Sequence, residues 1–165
     1  MKLIISKMKK FIMANNREKL IYLKGFLRKT IISRINSEIV CDEIGKVIKL
    51  HKYKDIIVFP ATVDYSFMFQ RPQQLANAFA KKGYLVFYGT LNGQSDNVKT
   101  LQKISQNLYL IYEAHFPYFK TILDKKRTTY YCMWPNNIKH LPYLPYKTLI
   151  YDYMDNVSMP VSVNT

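Results

Sequence analysis

Apolar residues change their spacing along this chain near residue 50. Before that point they recur every three or four positions. Leu20, Leu23, Leu27 and Ile31 form such a helical stripe, with Lys24 close to it. After Asp55 they come in short runs: Ile56–Pro60, Leu85–Tyr88, Leu108–Tyr112, Thr129–Met133 and Thr148–Tyr151. Runs of that length read as strands. The unbroken apolar character of the first suits a strand covered on both faces, as in parallel sheets.

Between the first two runs the period returns to helical. Pro72 fits a first helical turn, Gly83 fits the position just past a last one, and Leu75, Ala76 and Phe79 lie on one face. A helix over Pro72–Lys82 is predicted, with Lys81 and Lys82 at the end its dipole favours for cations. A short helix is expected over Tyr118–Lys125, a turn at Asn92-Gly93 and a Pro-rich loop over Asn136–Tyr146. Glu38–Leu50 fits either a short helix or a linker, and Gln94–Gln106 fits neither period. The order β-α-β-β-α-β-loop-β predicts an α/β fold: a Rossmann-like, doubly wound, mainly parallel sheet over residues 51–165. Residues 1–50 are expected to be a basic, amphipathic helical extension.

Composition narrows the class. The chain has 165 residues, 48% of them hydrophobic, enough for one domain with a real core. No uncharged apolar run reaches 18 residues, so no membrane-spanning helix is expected. Lys7, Lys9 and Lys10 interrupt any secretory h-region. Cys41 and Cys132, far apart in sequence, are expected to be reduced thiols of a cytoplasmic protein. The net charge is +14, and residues 1–50 carry 12 Lys+Arg against 4 acids. Such a surface attracts anionic lipid, phosphorylated molecules or nucleic acid. Plentiful Lys, Ile, Asn and Tyr also fit a plain compositional drift. Nucleic acid is the least expected partner, because no recognition motif is present. An arm lying on an anionic membrane, a helix packed on the domain and a loose extension all remain open for the N-terminal segment.

Several chemistries are excluded by pattern. Pro60-Ala61-Thr62-Val63 stands where a dinucleotide-binding Gly-rich loop would be, and Gly45-Lys46 is followed by Val47 rather than Ser or Thr. His51, His115 and His140 are scattered, no Cys or His pair has metal-ligand spacing, and no Gly-x-Ser-x-Gly elbow occurs. No cofactor or metal is expected. What remains is a set of polar groups at predicted C-terminal strand ends, where open α/β sheets place ligands. After the first strand these are Asp64, Tyr65, Gln70 and Arg71, the last at a helix start able to grip phosphate or carboxylate. Capping by Gln70 or Arg71 is the plainer alternative. Trp134, after the fourth strand, fits either sugar stacking or a plug at the sheet's end. Asp152 and Asp155, after the fifth, could serve as a base or bind hydroxyls, or Asp155 could cap a helix. His115 reads as a loop residue.

The segments Phe69-Gln70-Arg71-Pro72-Gln73-Gln74-Leu75-Ala76 and Lys82-Gly83-Tyr84-Leu85-Val86, with Tyr151-Asp152-Tyr153-Met154-Asp155 further on, resemble the N-terminal domain of bacterial GT-B glycosyltransferases. The resemblance covers about residues 55–158. It implies one half of a two-domain architecture. The N-terminal domain binds the acceptor, and a C-terminal domain, for which this chain has no room, binds the nucleotide-sugar. It further implies transfer to a cell-surface glycan or lipid-linked acceptor at the inner membrane face, with Asp152 and Asp155 as catalytic candidates. Gln70, Arg71, Asp64, Tyr65 and Trp134 become acceptor- or phosphate-binding candidates. On that reading the chain is inactive alone. The alternative is a non-enzymatic binding or scaffolding domain that contacts anionic membrane or glycan.

Overall fold

A computed structural model describes residues 37–50 and 52–153. The chain divides into two compact units, Met1–Ile39 and Val40–Thr165. The stripe Leu20–Ile31 and the candidate Asp155 lie outside the described residues. The second unit is an α/β sandwich built on one six-stranded sheet. Its strands are β1 (Ile56–Phe59), β2 (Leu85–Thr90), β3 (Leu101–Ser105), β4 (Leu108–Tyr112), β5 (Thr128–Cys132) and β6 (Thr148–Tyr151), in the order β3-β4-β2-β1-β5-β6. Every neighbouring pair is parallel except β3–β4. The central pair is β1 and β2. All residues of β1 and β2 are buried.

The period of two sorts these side chains into two cores. Ile56, Val58, Leu85, Phe87, Tyr109, Ile111, Tyr130 and Cys132 face one side. Helical residues 37–50 (α1) close that side with Val40 and Ile44, and Phe116, Phe119 and Leu123 complete it. The boundary expected at residue 50 therefore follows a helix already packed on the sheet. On the other face, Ile57, Phe59, Val86, Tyr88, Leu108, Leu110 and Tyr131 meet helix α2 (Arg71–Lys81). Ala76 and Ala80 are its closest points to the sheet, fully or nearly buried. Small side chains there let the helix backbone approach the aromatic layer of Phe59, Tyr88 and Tyr131. The helix ends at Lys82, and Gly83 takes φ +87, a conformation that favours glycine.

Three segments depart from the expected elements. The ambiguous stretch holds β3, an antiparallel edge strand. It offers one partly buried apolar residue to each face, Leu101 to one core and Ile104 to the other, so no alternating stripe betrays it. The short helix is a 3-10 stretch (Glu113–Tyr118) followed by one α turn, α3 (Phe119–Ile122). Pro117 has no N–H to give a longer α-helix there. The Pro-rich loop winds as 3-10 turns over Pro135–Tyr143. Cys41 and Cys132 are free thiols, and burial pushes the Cys132 thiol up. No described helix is long and apolar enough to cross a membrane.

Candidate functional site

The C-terminal ends of the parallel strands share one edge, and the polar side chains of the fold collect there. Asp64 follows β1 and is 3% exposed. Its Oδ1 accepts from Thr90 Oγ1 (2.9 Å) and Leu91 N (3.1 Å), and its Oδ2 from Gln94 N (2.7 Å) and Ser95 N (3.1 Å). Burial alone would raise its pKa. The backbone N–H groups of Gln94, Ser95 and Asp96, with the Thr90 hydroxyl, outweigh that and lower it to about 2. Those bonds use the lone pairs an acceptor would need. Asp64 therefore ties the loop after β1 to the loop after β2. Asp96 makes the reciprocal tie, accepting from Tyr65 N (2.6 Å) and Ser66 N (3.0 Å).

The same loop is gripped from α2. Gln73 is fully buried, and its Nε2 donates to the carbonyls of Met68 (3.1 Å) and Phe67 (3.3 Å), while its Oε1 accepts from Gln70 N (3.1 Å). Gln70 is the N-cap residue and is exposed. Met68 has φ 45, left-handed for a residue with a side chain, and both Met68 and Phe69 are exposed. Tyr65 packs edge-on against Tyr88 at 5.3 Å, and its hydroxyl accepts from Asn77 Nδ2 at 2.7 Å. Trp134 is half-buried at the end of β5, its carbonyl accepting from Asn137 N (3.0 Å) and Cys132 Sγ (3.2 Å).

Arg71 and Asp152 meet. Arg71 Nη2 donates to both carboxylate oxygens, at 3.1 and 3.0 Å, and the Tyr131 hydroxyl donates to Oδ2 at 3.1 Å. Burial, and then the bond to Asp152, push the Tyr131 hydroxyl up. Asp152 N donates to Cys132 O (2.9 Å), which carries the β5–β6 ladder one residue further and fixes the carboxylate. Bonded to an arginine and a tyrosine, Asp152 positions Arg71. Asp155, its expected companion, lies outside the described residues.

On the other face of the sheet stands a pair that motif reasoning passed over. Glu113 directly follows β4 and His140 sits in the β5–β6 crossover; both are buried. His140 Nε2 lies 2.7 Å from Glu113 Oε1, and Lys139 Nζ lies 3.1 Å from the same oxygen. The His140 approach is close but too bent for a full hydrogen bond, and Glu113 Oε2 has no partner among the described residues. Burial acts to raise the Glu113 carboxyl; the close approach of His140, the Lys139 bond and the charges of both prevail and hold it below its ordinary value. Glu113 and His140 line a hollow of about 320 Å³ together with Leu91, Tyr112, Pro117 and Tyr143. A hollow with this polar wall and flanking tyrosines has the lining to receive a polyhydroxylated ring. His115, by contrast, is spent on Lys99 O (2.8 Å). No group of metal-ligating side chains exists among the described residues.

Comparison with protein-family models, curated proteins and solved structures finds no match for this chain.

Proposed function

We propose that this is the acceptor-side domain of a glycosyltransferase. It works with a nucleotide-sugar-binding domain, on the same or another chain, to transfer a sugar to a cell-surface glycan or lipid-linked acceptor. The observation that carries the reading is the contact between Arg71 and Asp152. Arg71 and Asp152 belong to two of the segments on which the family resemblance rests, 81 residues apart in sequence, and they touch at the C-terminal edge of the sheet. Gln73, the second glutamine of the first segment, earns its place by shaping the loop after β1.

In this reading the Glu113–His140 hollow holds the acceptor. The Glu113–His140 pair, whose Oε2 and Nε2 are fully buried, fixes the polar wall of that hollow. Tyr112 and Tyr143 supply faces for the ring. Arg71, held by Asp152, stands at the start of α2, where its charge and the helix dipole favour an anionic group. Asp64, Asp96 and Gln73 keep the intervening loops in place.

The loop after β1 contains no glycine between Pro60 and Gln70, so backbone N–H groups cannot cradle a pyrophosphate as Gly-rich loops do. Calorimetry on the chain is therefore expected to show nothing tighter than about 1 mM for UDP-glucose or GDP-mannose, equivalent to about −4 kcal/mol. Micromolar binding of either would contradict the acceptor-side assignment.

A further inference from the structure

The opposite edge of the sheet has the opposite chemistry. In a parallel sheet the strand beginnings share one side, and here lysines precede four of them. Lys54 leads into β1, Lys82 into β2, Lys125 and Lys126 into β5, and Lys147 into β6; all are exposed. The lead-in segments are bonded to their neighbours: Lys54 N donates to Gly83 O and Lys147 N to Thr128 O, each at 2.8 Å. Strands β2, β1, β5 and β6 are consecutive in the sheet. At about 4.8 Å per strand these cations span about 15 Å, within two screening lengths at physiological salt.

Two acidic neighbours stand among them. Asp55 pairs with Arg127 at 3.4 Å, and Asp124 accepts from Lys126 N at 2.9 Å. None of the five lysines has an ion-pair partner among the described residues. Lys125, Lys126 and Lys147 together line a surface hollow of about 430 Å³. At the far edge stand the carboxylates Asp64, Asp96, Glu113 and Asp152, with Arg71 and Lys139 bonded to two of them. Compositional drift scatters lysines evenly; a sheet with cations at one end and carboxylates at the other has a direction.

We infer that the N-terminal edge of the sheet is a docking surface for an anionic lipid bilayer. The aromatic residues beside it favour lipid over nucleic acid. The Tyr53 ring is covered by Arg127 at 4.6 Å, and the Tyr84 ring carries Lys54 at 5.8 Å. One face of each ring is taken by a cation of the chain itself, which leaves less ring surface for the base stacking that single-stranded binding uses. A row of exposed ammonium groups suits a surface of lipid phosphates, and residues 1–35 of the same chain carry ten Lys+Arg against one acid, Glu18. Docking by this edge leaves the Glu113–His140 hollow at the other end of the strands, about 15–20 Å from the lipid surface and open to water. The surface is independent of any transfer chemistry at that hollow.

The test is co-sedimentation of the full chain with phosphatidylcholine vesicles, with and without phosphatidylglycerol. Binding is expected only with phosphatidylglycerol and is expected to vanish near 1 M salt, where screening falls to about 3 Å. The pair Lys126→Gln with Lys147→Gln should weaken partitioning at least about fivefold. The control pair Lys99→Gln with Lys103→Gln removes equal charge elsewhere and should change it less than about twofold. Circular dichroism confirms that both variants are folded. Equal losses in the two pairs, or no loss in the first, would overturn the docking surface. Loss of binding to a single-stranded RNA homopolymer without loss of vesicle binding would overturn it in favour of nucleic acid.

Discussion

Asp64 shows how a side chain with the chemistry of a ligand-binder can be an organiser instead. Its carboxylate is buried beneath the N–H groups of three consecutive residues, Gln94 to Asp96. Asp64→Asn keeps the shape but turns an amide toward those donors, so a loss of about 2–4 kcal/mol is expected in urea unfolding at neutral pH. The pH dependence has a definite sign. A carboxyl held at about 2, against 3.8 for the free group, contributes stability above the unfolded value and loses it as pH falls through about 4 toward 2. That contribution is about 2 kcal/mol. The gap between wild type and Asp64→Asn should therefore narrow by that amount on acidification, and a constant gap would refute the assignment. Glu113, also held low, acts with the same sign. In sequence Asp64, Gln70 and Arg71 were visible as polar groups after a strand, but what each bonds was not. Asp96 and Thr90 lie about thirty residues from Asp64 (|i−j| of 32 and 26), and only the fold joins them. Glu113 carried the same signal as Asp152, a carboxylate at a strand's end; its partner His140 looked like one of three scattered histidines.

At the scale of elements the legible parts were those with a strong local period. The strands β1, β2, β4, β5 and β6, and helix α2 between Pro72 and Gly83, follow from runs and end signals in the chain. Strand β3 did not, because a one-residue-per-face edge strand has no period; it is recruited by pairing with β4 across Gln106 and Asn107. Close packing between elements is equally silent in sequence. Gly89 lies in β2 where β1 exits the sheet. A Cβ there would meet Ala61 N and Phe116 Cζ at 2.8 Å and Phe59 O at 3.2 Å. Two of those atoms are backbone, so the strand and its exit loop would have to part. Gly89→Ala is expected to cost about 1–3 kcal/mol by crowding alone. It should also loosen the loop held by Asp64, seen as faster amide exchange at Gln94 to Asp96. A variant as stable as wild type would show that β1 and β2 separate more easily than this geometry allows.

The described residues of the second unit form a sheet with two unlike ends. Parallel pairing sorts residues by their position relative to each strand, and this chain places lysines before its strands and carboxylates after them. That sorting was invisible in the net charge of +14, which does not say where the charge stands. It separates the proposed lipid-facing edge from the proposed acceptor hollow, so the two roles fail independently: vesicle binding tests the first without touching the second. The central claim is that the Glu113–His140 hollow receives a sugar. The most direct measurement is a series of ¹H–¹⁵N spectra of the full chain titrated with neutral hexose oligosaccharides, with inorganic phosphate and UDP-glucose as separate arms. Saturable shifts are expected at Leu91, Tyr112, Glu113, His140 and Tyr143 with at least one oligosaccharide, lost in His140→Gln while the rest of the spectrum is retained. Shifts confined to the Arg71–Asp152 side, shifts driven only by UDP-glucose, or none with any oligosaccharide would contradict it.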